Sequence, residues 1–438
     1  MVSWPLFINS EGTSAVSSEA KSLKNIAIIG SGVAGLTAAW LLSKKYAVTL
    51  YEREDRIGGH TYTVSANEDG TEVPVDAGFI VLNDKTYPGM HALLAALGVP
   101  WRWSDMSFGF QDPQSEFAYA GRGLSGLFGG VADLLELKRW RLYGEILKFS
   151  KVSLRAITNG LAPQLTMREL LEMHCFSREL VEFYVLPMGA AIWSCPSEQI
   201  LDFPAEYFLR FFKNHGLLAL KDRPRWQTVV GGSCSYVKKI LASMPTTVLA
   251  SEAVTQVQRN INEVLVTSKS GQKKFDAVVF ACHADQVLPI LVDPSEQEIS
   301  AFKNWKYQAN SVCVHTDVSI LPKNPRYWAS WNFKQEPSTA EASLRVTYDL
   351  TRLQGLTAKQ RYLVSLNCDH LIHPSAKITQ FYFEHPHYDF NSVISQKLLP
   401  TLNGTMNTWF CGSYHGFGFH EDAIQSALRV CHDFGCSL

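Results

Sequence analysis

An α/β fold, with a parallel sheet wound by helices and a second, interleaved α+β portion, is what this sequence predicts. Three observations carry it. Residues 26–29 form a short apolar run, a glycine turn follows, a helical pattern continues through Lys45, and residues 47–51 are apolar again. Strand, turn, helix and strand therefore fall within one short βαβ unit. Residues 247–281 are rich in short strand-like runs, and alternating segments recur beyond them. Finally, 438 residues, 46% of them hydrophobic and 18% charged, exceed what one core ordinarily holds, which points to two interleaved or tandem domains.

In chain order, residues 1–24 are rich in Ser, Ala and Glu without periodicity and read as a poorly ordered tail. Lys21 and Lys24 ahead of the apolar residues 26–42 give a superficial likeness to an export signal. Gly30, Ser31, Gly32 and Gly35 interrupt that run, it is shorter than the roughly 20 residues of a membrane span, and no small-residue cleavage site follows before Lys44. Helical spacing is expected over residues 87–97, 131–158 and 168–185, with Pro163, Pro187 and Pro196 marking boundaries. Strands are expected at 247–249, 253–259 and 263–268, with a turn at Ser270-Gly271, and a buried strand at 276–281. Alternation at 311–316, 344–348 and 361–366 implies a second, partly antiparallel sheet.

Charge narrows the function classes. Forty basic and 41 acidic side chains give a formal charge of −1 without long runs of either sign, which argues against a nucleic-acid track or a polybasic membrane arm. A small, largely uncharged partner is expected. Nine cysteines, scattered from Cys175 to Cys436 with no C-x-x-C pair, read as reduced thiols of a cytoplasmic protein.

The sharpest chemical signal is Gly30-Ser31-Gly32-Val33-Ala34-Gly35, which fits G-x-G-x-x-G between a predicted strand and a predicted helix. The first glycine permits the tight turn, the second lets backbone approach a pyrophosphate, and the third lets helix and strand pack closely. The helix N-terminus adds unpaired N–H groups and a positive dipole end. Glu52 closes the next strand, where a carboxylate can accept ribose hydroxyls. The acid disfavours a 2′-phosphate, so Arg53 beside it reads as an exposed strand-end arginine. Together these features predict a Rossmann-type dinucleotide site.

After Glu52 the chain runs Arg53-Glu54-Asp55-Arg56-Ile57-Gly58-Gly59-His60-Thr61, and an acid followed by Ile-Gly-Gly resembles the FAD-binding signature of the flavin amine oxidase superfamily. That superfamily includes monoamine oxidases, protoporphyrinogen oxidases and phytoene desaturases. Val75-Asp76-Ala77-Gly78-Phe79 resembles its next block, where backbone near the glycine passes the isoalloxazine ring; taken alone, Asp76-Ala77-Gly78 reads as a β-turn. Trp409-Phe410-Cys411-Gly412-Ser413 with Gly418-Phe419-His420-Glu421-Asp422-Ala423-Ile424 resembles the C-terminal flavin motif, and Ala253-Val254 resembles the strand at the adenine. The resemblance spans nearly the whole chain after Lys24. It is narrowest to a bacterial group of predicted NAD/FAD-binding proteins commonly encoded beside cyclopropane-fatty-acyl-phospholipid synthases, to which a domain fused to plant synthases is related. It implies FAD as cofactor and an amine-oxidase-like two-domain architecture. The implied FAD-binding domain is discontinuous, residues 25–82, 226–290 and 405–438, and residues 83–225 and 291–404 form the substrate-binding domain. The cofactor set it implies is Gly30, Ser31, Gly32, Val33, Ala34, Gly35, Glu52, Arg53, Gly58, Gly59, His60, Thr61, Gly78, Phe79, Val254, Gly412, Ser413, Gly418, Phe419 and His420.

Two departures bear on chemistry. The strand in which amine oxidases carry a lysine near flavin N5 reads Ala309-Asn310-Ser311-Val312-Cys313-Val314, which puts amine oxidation in doubt. Ser413 replaces the acid that often follows the C-terminal glycine, so a ribityl hydrogen bond there would be neutral. His420 is the candidate catalytic residue, because a near-neutral imidazole suits proton transfer, with helix capping by the His420-Glu421-Asp422 group as the plainer reading. His370 with His373 and His385 with His387 lack the cysteine or carboxylate partners of a zinc site; they read as solvated or turn histidines, and no metal is expected. Tyr327, Trp328, Trp331 and Phe333 line either an apolar tunnel or a core.

The expected function is FAD-dependent oxidation of a lipid-like, acyl-chain substrate by hydride or electron transfer. The alternatives are non-redox double-bond isomerisation or hydration of an unsaturated acyl chain, and a non-catalytic FAD-binding partner of a lipid-modifying enzyme. Expected partners are a small hydrophobic substrate and no nucleic acid. Peripheral membrane contact and association with a cyclopropane-fatty-acid synthase-like enzyme are compatible with the resemblance.

Overall fold

The computed structural model describes residues 24–162, 164–219, 221–335 and 344–438; residues 1–23 of the expected tail, and Pro163, lie outside them. Strands Thr247–Leu249, Ala47–Tyr51, Asn25–Ile29, Ala277–Phe280 and Thr408–Phe410 lie side by side in that order, every neighbouring pair parallel. Their near-continuous apolar character follows from burial on both faces. Helix Val33–Leu42 joins the first two strands in sequence, and all ten of its residues are buried. It is apolar all round because the sheet lies on one side and helices His420–Asp433 and Cys234–Ser243 pack on others. Trp40 Nε1 reaches its one polar partner at Ser243 Oγ, 3.0 Å away. Chain from both halves and the C-terminus is thus gathered round the N-terminal βαβ unit.

The second sheet has seven strands in the order Lys377–His387, Lys306–His315, Leu363–Leu366, Val346–Asp349, Trp331–Lys334, Phe108–Asp112 and Phe117–Ala120. All neighbours are antiparallel except Trp331–Lys334 with Phe108–Asp112. The expected strands at 311–316, 344–348 and 361–366 are there, the first extended N-terminally to Lys306. Strand Lys377–His387 was not anticipated. It forms one edge of the sheet, where Pro386 costs no ladder bond to a further strand.

Two expected helices are broken, each for a local reason. The helix over 131–158 divides into Val131–Leu134 and Leu137–Asn159, with Glu136 extended at φ −81°, ψ 98°. There the Glu136 carboxylate accepts from Arg139 Nε at 2.6 Å, and Asp133 is held by Tyr327 OH and Gly130 N. The helix over 168–185 stops at Met173, passes Cys175 at φ +49°, and restarts behind Ser177, whose hydroxyl accepts from Leu180 N. A π-helical turn, Val181–Val185, then leads into Leu186–Trp193. The wider turn accommodates Pro187, which has no N–H to give the preceding turn. The block at 75–79 is also more than a turn: Asp76 ends strand Thr71–Asp76, paired with Thr63–Glu68.

Candidate active site

A cavity of about 1780 Å³ runs from the glycine turn to the seven-stranded sheet. Single-ligand pockets hold roughly 300–1,000 Å³, so this one has room for a dinucleotide and a substrate together. Gly30, Ser31, Gly32, Val33, Ala34, Glu52, Arg53, Gly59, His60, Gly78, Phe79, Val254, Gly412, Ser413, Gly418, Phe419 and His420 all line it. Gly35, Gly58 and Thr61 do not; they brace the residues that do.

At the glycine turn each glycine answers a different constraint. Gly30 has φ +103°, and a Cβ there would lie 2.7 Å from the Ala281 carbonyl oxygen. A Cβ on Gly35 would lie 1.9 Å from the Gly30 carbonyl oxygen, so strand and helix touch at that point. Gly32 has no atom within 4 Å of the equivalent position and opens into the cavity. It precedes helix Val33–Leu42, whose N-terminus has no side-chain cap. An uncapped helix start fronted by open space that a Cβ would fill is what a pyrophosphate requires, so these residues fit FAD.

Glu52 is fixed around the same turn. Its Oε2 accepts from Ser31 N at 2.9 Å and Ser31 Oγ at 2.5 Å, and its Oε1 accepts from Glu54 N at 3.0 Å. Gly58 N donates to Ser31 Oγ at 3.2 Å. Arg56 clamps the Ile-Gly-Gly turn by donating to the Gly59 carbonyl at 2.6 Å and the Thr61 carbonyl at 3.0 Å. Asp76 accepts from Ser233 N at 2.8 Å, Ser233 Oγ at 2.8 Å, Thr63 Oγ1 at 2.5 Å and Gln354 Nε2 at 3.0 Å. That ties residues 76–79 to the helix at 234. A Cβ on Gly78 would lie 2.0 Å from the His60 carbonyl oxygen, so the two flavin segments are in backbone contact.

The C-terminal motif divides its labour. Glu421 accepts from Gly89 N at 2.8 Å and Met90 N at 2.9 Å, capping the neighbouring helix, and Asp422 accepts from Phe419 N at 3.0 Å. Both acids are therefore caps. His420 stacks on Phe79 with centroids 3.9 Å apart, and its Nε2 lies 3.1 Å from Thr61 Oγ1. Burial pushes its pKa down to about 3, so the ring is neutral at physiological pH.

A second histidine group was not read from the sequence as a unit. His60, His283 and His385 all line the cavity, with His60 centroids 5.9 Å from His283 and 5.3 Å from His385. His385 and His387 are both half-buried strand residues, neither solvated nor in a turn, and His385 is on the cavity wall. Asn310 Nδ2 donates to the Ser194 carbonyl at 2.9 Å and lies 3.1 Å from His385 Nδ1, while Asn310 Oδ1 accepts from Asn367 Nδ2 at 2.8 Å. With the amide so oriented, Nδ1 of His385 is an acceptor and its proton sits on Nε2. His283 Nδ1 lies 3.6 Å from Glu384 Oε2. Strand Lys306–His315 presents Tyr307 and Ala309 to the cavity, Val312 is buried elsewhere, and no described lining residue is a lysine. His370 and His373 are exposed, as expected.

These neutral imidazoles make stability pH-dependent. Burial lowers the pKa of His215, His315 and His385 to about 4 and of His415 and His420 to about 3. Each unfolded histidine takes a proton near pH 6.5 that the folded one refuses, so stability is lost as pH falls below 6.5, by up to about 1.4 kcal/mol per pH unit per histidine. Asp76 and Asp422, raised by burial to about 6 and about 7, act in the opposite sense across that window. With burial also lowering His60 and His387 and raising Asp285, seven histidines outweigh three carboxyl groups. Thermal melts followed by circular dichroism should show Tm falling from pH 6.5 toward 5; a Tm that holds or rises would refute this balance.

The chain matches a family model described as flavin containing amine oxidoreductase over residues 33–433. A Mycobacterium tuberculosis (strain CDC 1551 / Oshkosh) protein, provisionally named flavin-containing monoamine oxidase AofH, is 24% identical over 358 residues, covering 75% of this chain and 71% of its own. The CLA-producing fatty acid isomerase from P. acnes superposes with a TM-score of 0.66 at 15% identity, covering 95% of this chain and 100% of that one. Cyclohexylamine oxidase from Brevibacterium oxydans IH-35A does so with a TM-score of 0.67 at 13% identity, covering 94% of this chain and 100% of its own. These last two are likenesses of fold.

Proposed function

Since the chain belongs to the flavin-containing amine oxidoreductase family, and is thereby an FAD-dependent oxidoreductase, we propose that its substrate is a lipid-like acyl chain. One observation carries this: of the cavity-lining residues between Met106 and Trp226, only Arg223 bears a charge, and none is acidic. His215, in the same wall, is kept neutral by burial. An ammonium substrate would lose its hydration there with no carboxylate to pair it, whereas an acyl chain meets Met106, Phe108, Leu127, Phe128, Ile146 and Met188. A carboxylate or phosphate head group would find Arg223. That strand Lys306–His315 turns no lysine to the cavity points the same way.

FAD, when bound, supplies the acceptor for a hydride or electron pair. The protein's part is to hold the dinucleotide at Gly32 and Glu52 and to keep water from the apolar arm of the cavity, the part lined between Met106 and Trp226. His385, with its proton fixed on Nε2 by Asn310, is the side chain we assign to proton handling, with His60 beside it. His420, neutral and stacked on Phe79, is assigned to orienting the flavin. Anaerobic mixing of the purified protein with acyl phospholipid or fatty acid should bleach the flavin absorption. Bleaching by amines, with none by any acyl compound, would overturn the proposal.

A second reading, non-redox isomerisation of an unsaturated acyl chain, is favoured by the missing lysine and uses the same apolar arm. It predicts product without net consumption of an electron acceptor. The resemblance to proteins encoded beside cyclopropane-fatty-acyl-phospholipid synthases supports the same substrate class and makes such a synthase the proposed partner.

A further inference from the structure

The cavity meets solvent at mouths of opposite chemistry. At the dinucleotide end, Arg53, Glu54 and Asp55 both line it and are exposed, and Glu252 lines it half-buried. At the far end, the lining residues that are exposed include Leu124, Trp140 and Leu147. Outward from that apolar rim the surface stays apolar. Leu124 is 76% exposed, Val131 79%, Leu135 82%, Leu137 83% and Trp140 52%, on the short helices Leu124–Leu127 and Val131–Leu134, the link that follows the second, and the start of Leu137–Asn159. Large apolar side chains so fully bared, and clustered, mark a contact surface.

Charge around the patch decides what it contacts. Between residues 121 and 160, Arg122, Arg141, Lys148, Lys151 and Arg155 are exposed, and no carboxylate is. The three acids of the stretch are turned to internal duties. Asp133 is held by Tyr327 OH and Arg139, Glu136 by Arg139 Nε at 2.6 Å, and Glu145 by the Ser177 hydroxyl. Leucines at turn tips, a tryptophan at their edge and exposed cations along the same stretch, against the half-buried Glu179 beside Arg141, match the interface of an anionic bilayer: acyl region inward, phosphate headgroups outward. No helix of the described residues is long and apolar enough to cross a membrane, so the contact is with one leaflet.

We infer that this face seats the apolar mouth on an anionic phospholipid membrane, so that an acyl chain passes from leaflet to cavity without crossing water. The inference rests on the acyl-substrate reading, but its test does not use turnover. The purified FAD-bound protein should co-sediment with vesicles of phosphatidylcholine and phosphatidylglycerol in equal parts, several-fold more than with phosphatidylcholine alone, and less as salt is raised. A Val131→Glu/Leu135→Glu/Leu137→Glu variant, altered only at exposed positions off the cavity wall, should sediment about ten-fold less while keeping its flavin absorption and Tm. A second variant, Arg141→Glu/Lys151→Glu/Arg155→Glu, should lose the preference for phosphatidylglycerol. Wild-type protein that stays in the supernatant with both vesicles, or variants that sediment like wild type, would overturn the inference. So would a wild-type dimer that the leucine variant converts to monomer while vesicle binding is unchanged. If vesicles bind as expected and no acyl compound bleaches the flavin, the substrate reading fails and the membrane face stands.

Discussion

A Gly32→Val variant is expected to fold with wild-type stability and to purify colourless. Gly32 sits at φ −62°, ψ 177°, a conformation open to valine, and a Cβ there meets nothing within 4 Å. The apo protein therefore has no reason to resist the change. The methyl groups would project into the space in front of the uncapped start of helix Val33–Leu42, where the pyrophosphate must approach backbone N–H groups. Loss of at least a hundred-fold in FAD affinity, about 2.7 kcal/mol, is the expected scale. Gly35→Val makes the informative contrast. Its Cβ would lie 1.9 Å from the Gly30 carbonyl oxygen, a backbone atom that cannot yield without shifting the turn. That variant should lose about 3 kcal/mol or more of stability along with its flavin. Absorption spectra and melts of the apo forms separate the cases, and a yellow Gly32→Val protein with full flavin content would refute the assignment of the site.

The part of the fold that holds this turn is the part most legible in the chain. Residues 26–29 and 47–51 are buried on both faces of a parallel sheet and so read as unbroken apolar runs, and the structure puts strands there within a residue. Helix ends and breaks are another matter. Ser177 as a cap, Glu136 drawn to Arg139, and Asp133 drawn to Tyr327 depend on tertiary partners that a 3.6-residue period does not encode. Strand Lys377–His387 went unrecognised because it lies at a sheet edge, with one half-exposed face and Pro386 near its end.

The site divides along the same line. The glycine turn, Glu52 and the Ile-Gly-Gly segment are contiguous, so their chemistry is visible in sequence. Gly35, Gly58 and Thr61 belong to the same motifs but serve the turn rather than the cavity. The histidine group was hidden because His60, His283 and His385 come from three distant segments and meet only when strand Lys377–His387 pairs with Lys306–His315. Asn310, which by sequence is only a departure from a lysine-bearing pattern, orients His385. A signal was present: Asn310 stands at the head of the run Val312-Cys313-Val314 and, buried in the structure, needs partners.

Replacing Glu298 by alanine should be among the most destabilising single changes open to this protein, although Glu298 lies outside the cavity. Its carboxylate meets Arg259 in a two-pronged pair, 2.6 Å from Nη1 and 2.9 Å from Nη2, with both side chains almost wholly buried. Burial alone would raise the pKa of Glu298, but the guanidinium and the Ser295 N–H and hydroxyl hold it below the ordinary carboxylate range. Arg259 also donates to Thr408 Oγ1 at 3.3 Å, at the head of the strand that runs on to Gly412 and Ser413. Alanine would leave that guanidinium buried with only the partly exposed Asp293 to balance it, and would undo the cap that Glu298 makes with Ser295. A loss of about 3–5 kcal/mol follows, on the order of 10 °C in Tm. Removing both charges, in Arg259→Met/Glu298→Leu, should cost less than removing one, because no unpaired ion remains. Urea unfolding of the single and double variants measures the difference. A double variant as unstable as the sum of the two singles would show the pair to be uncoupled. Flavin retention should follow stability through the series, since the pair anchors the strand that leads into the C-terminal flavin motif.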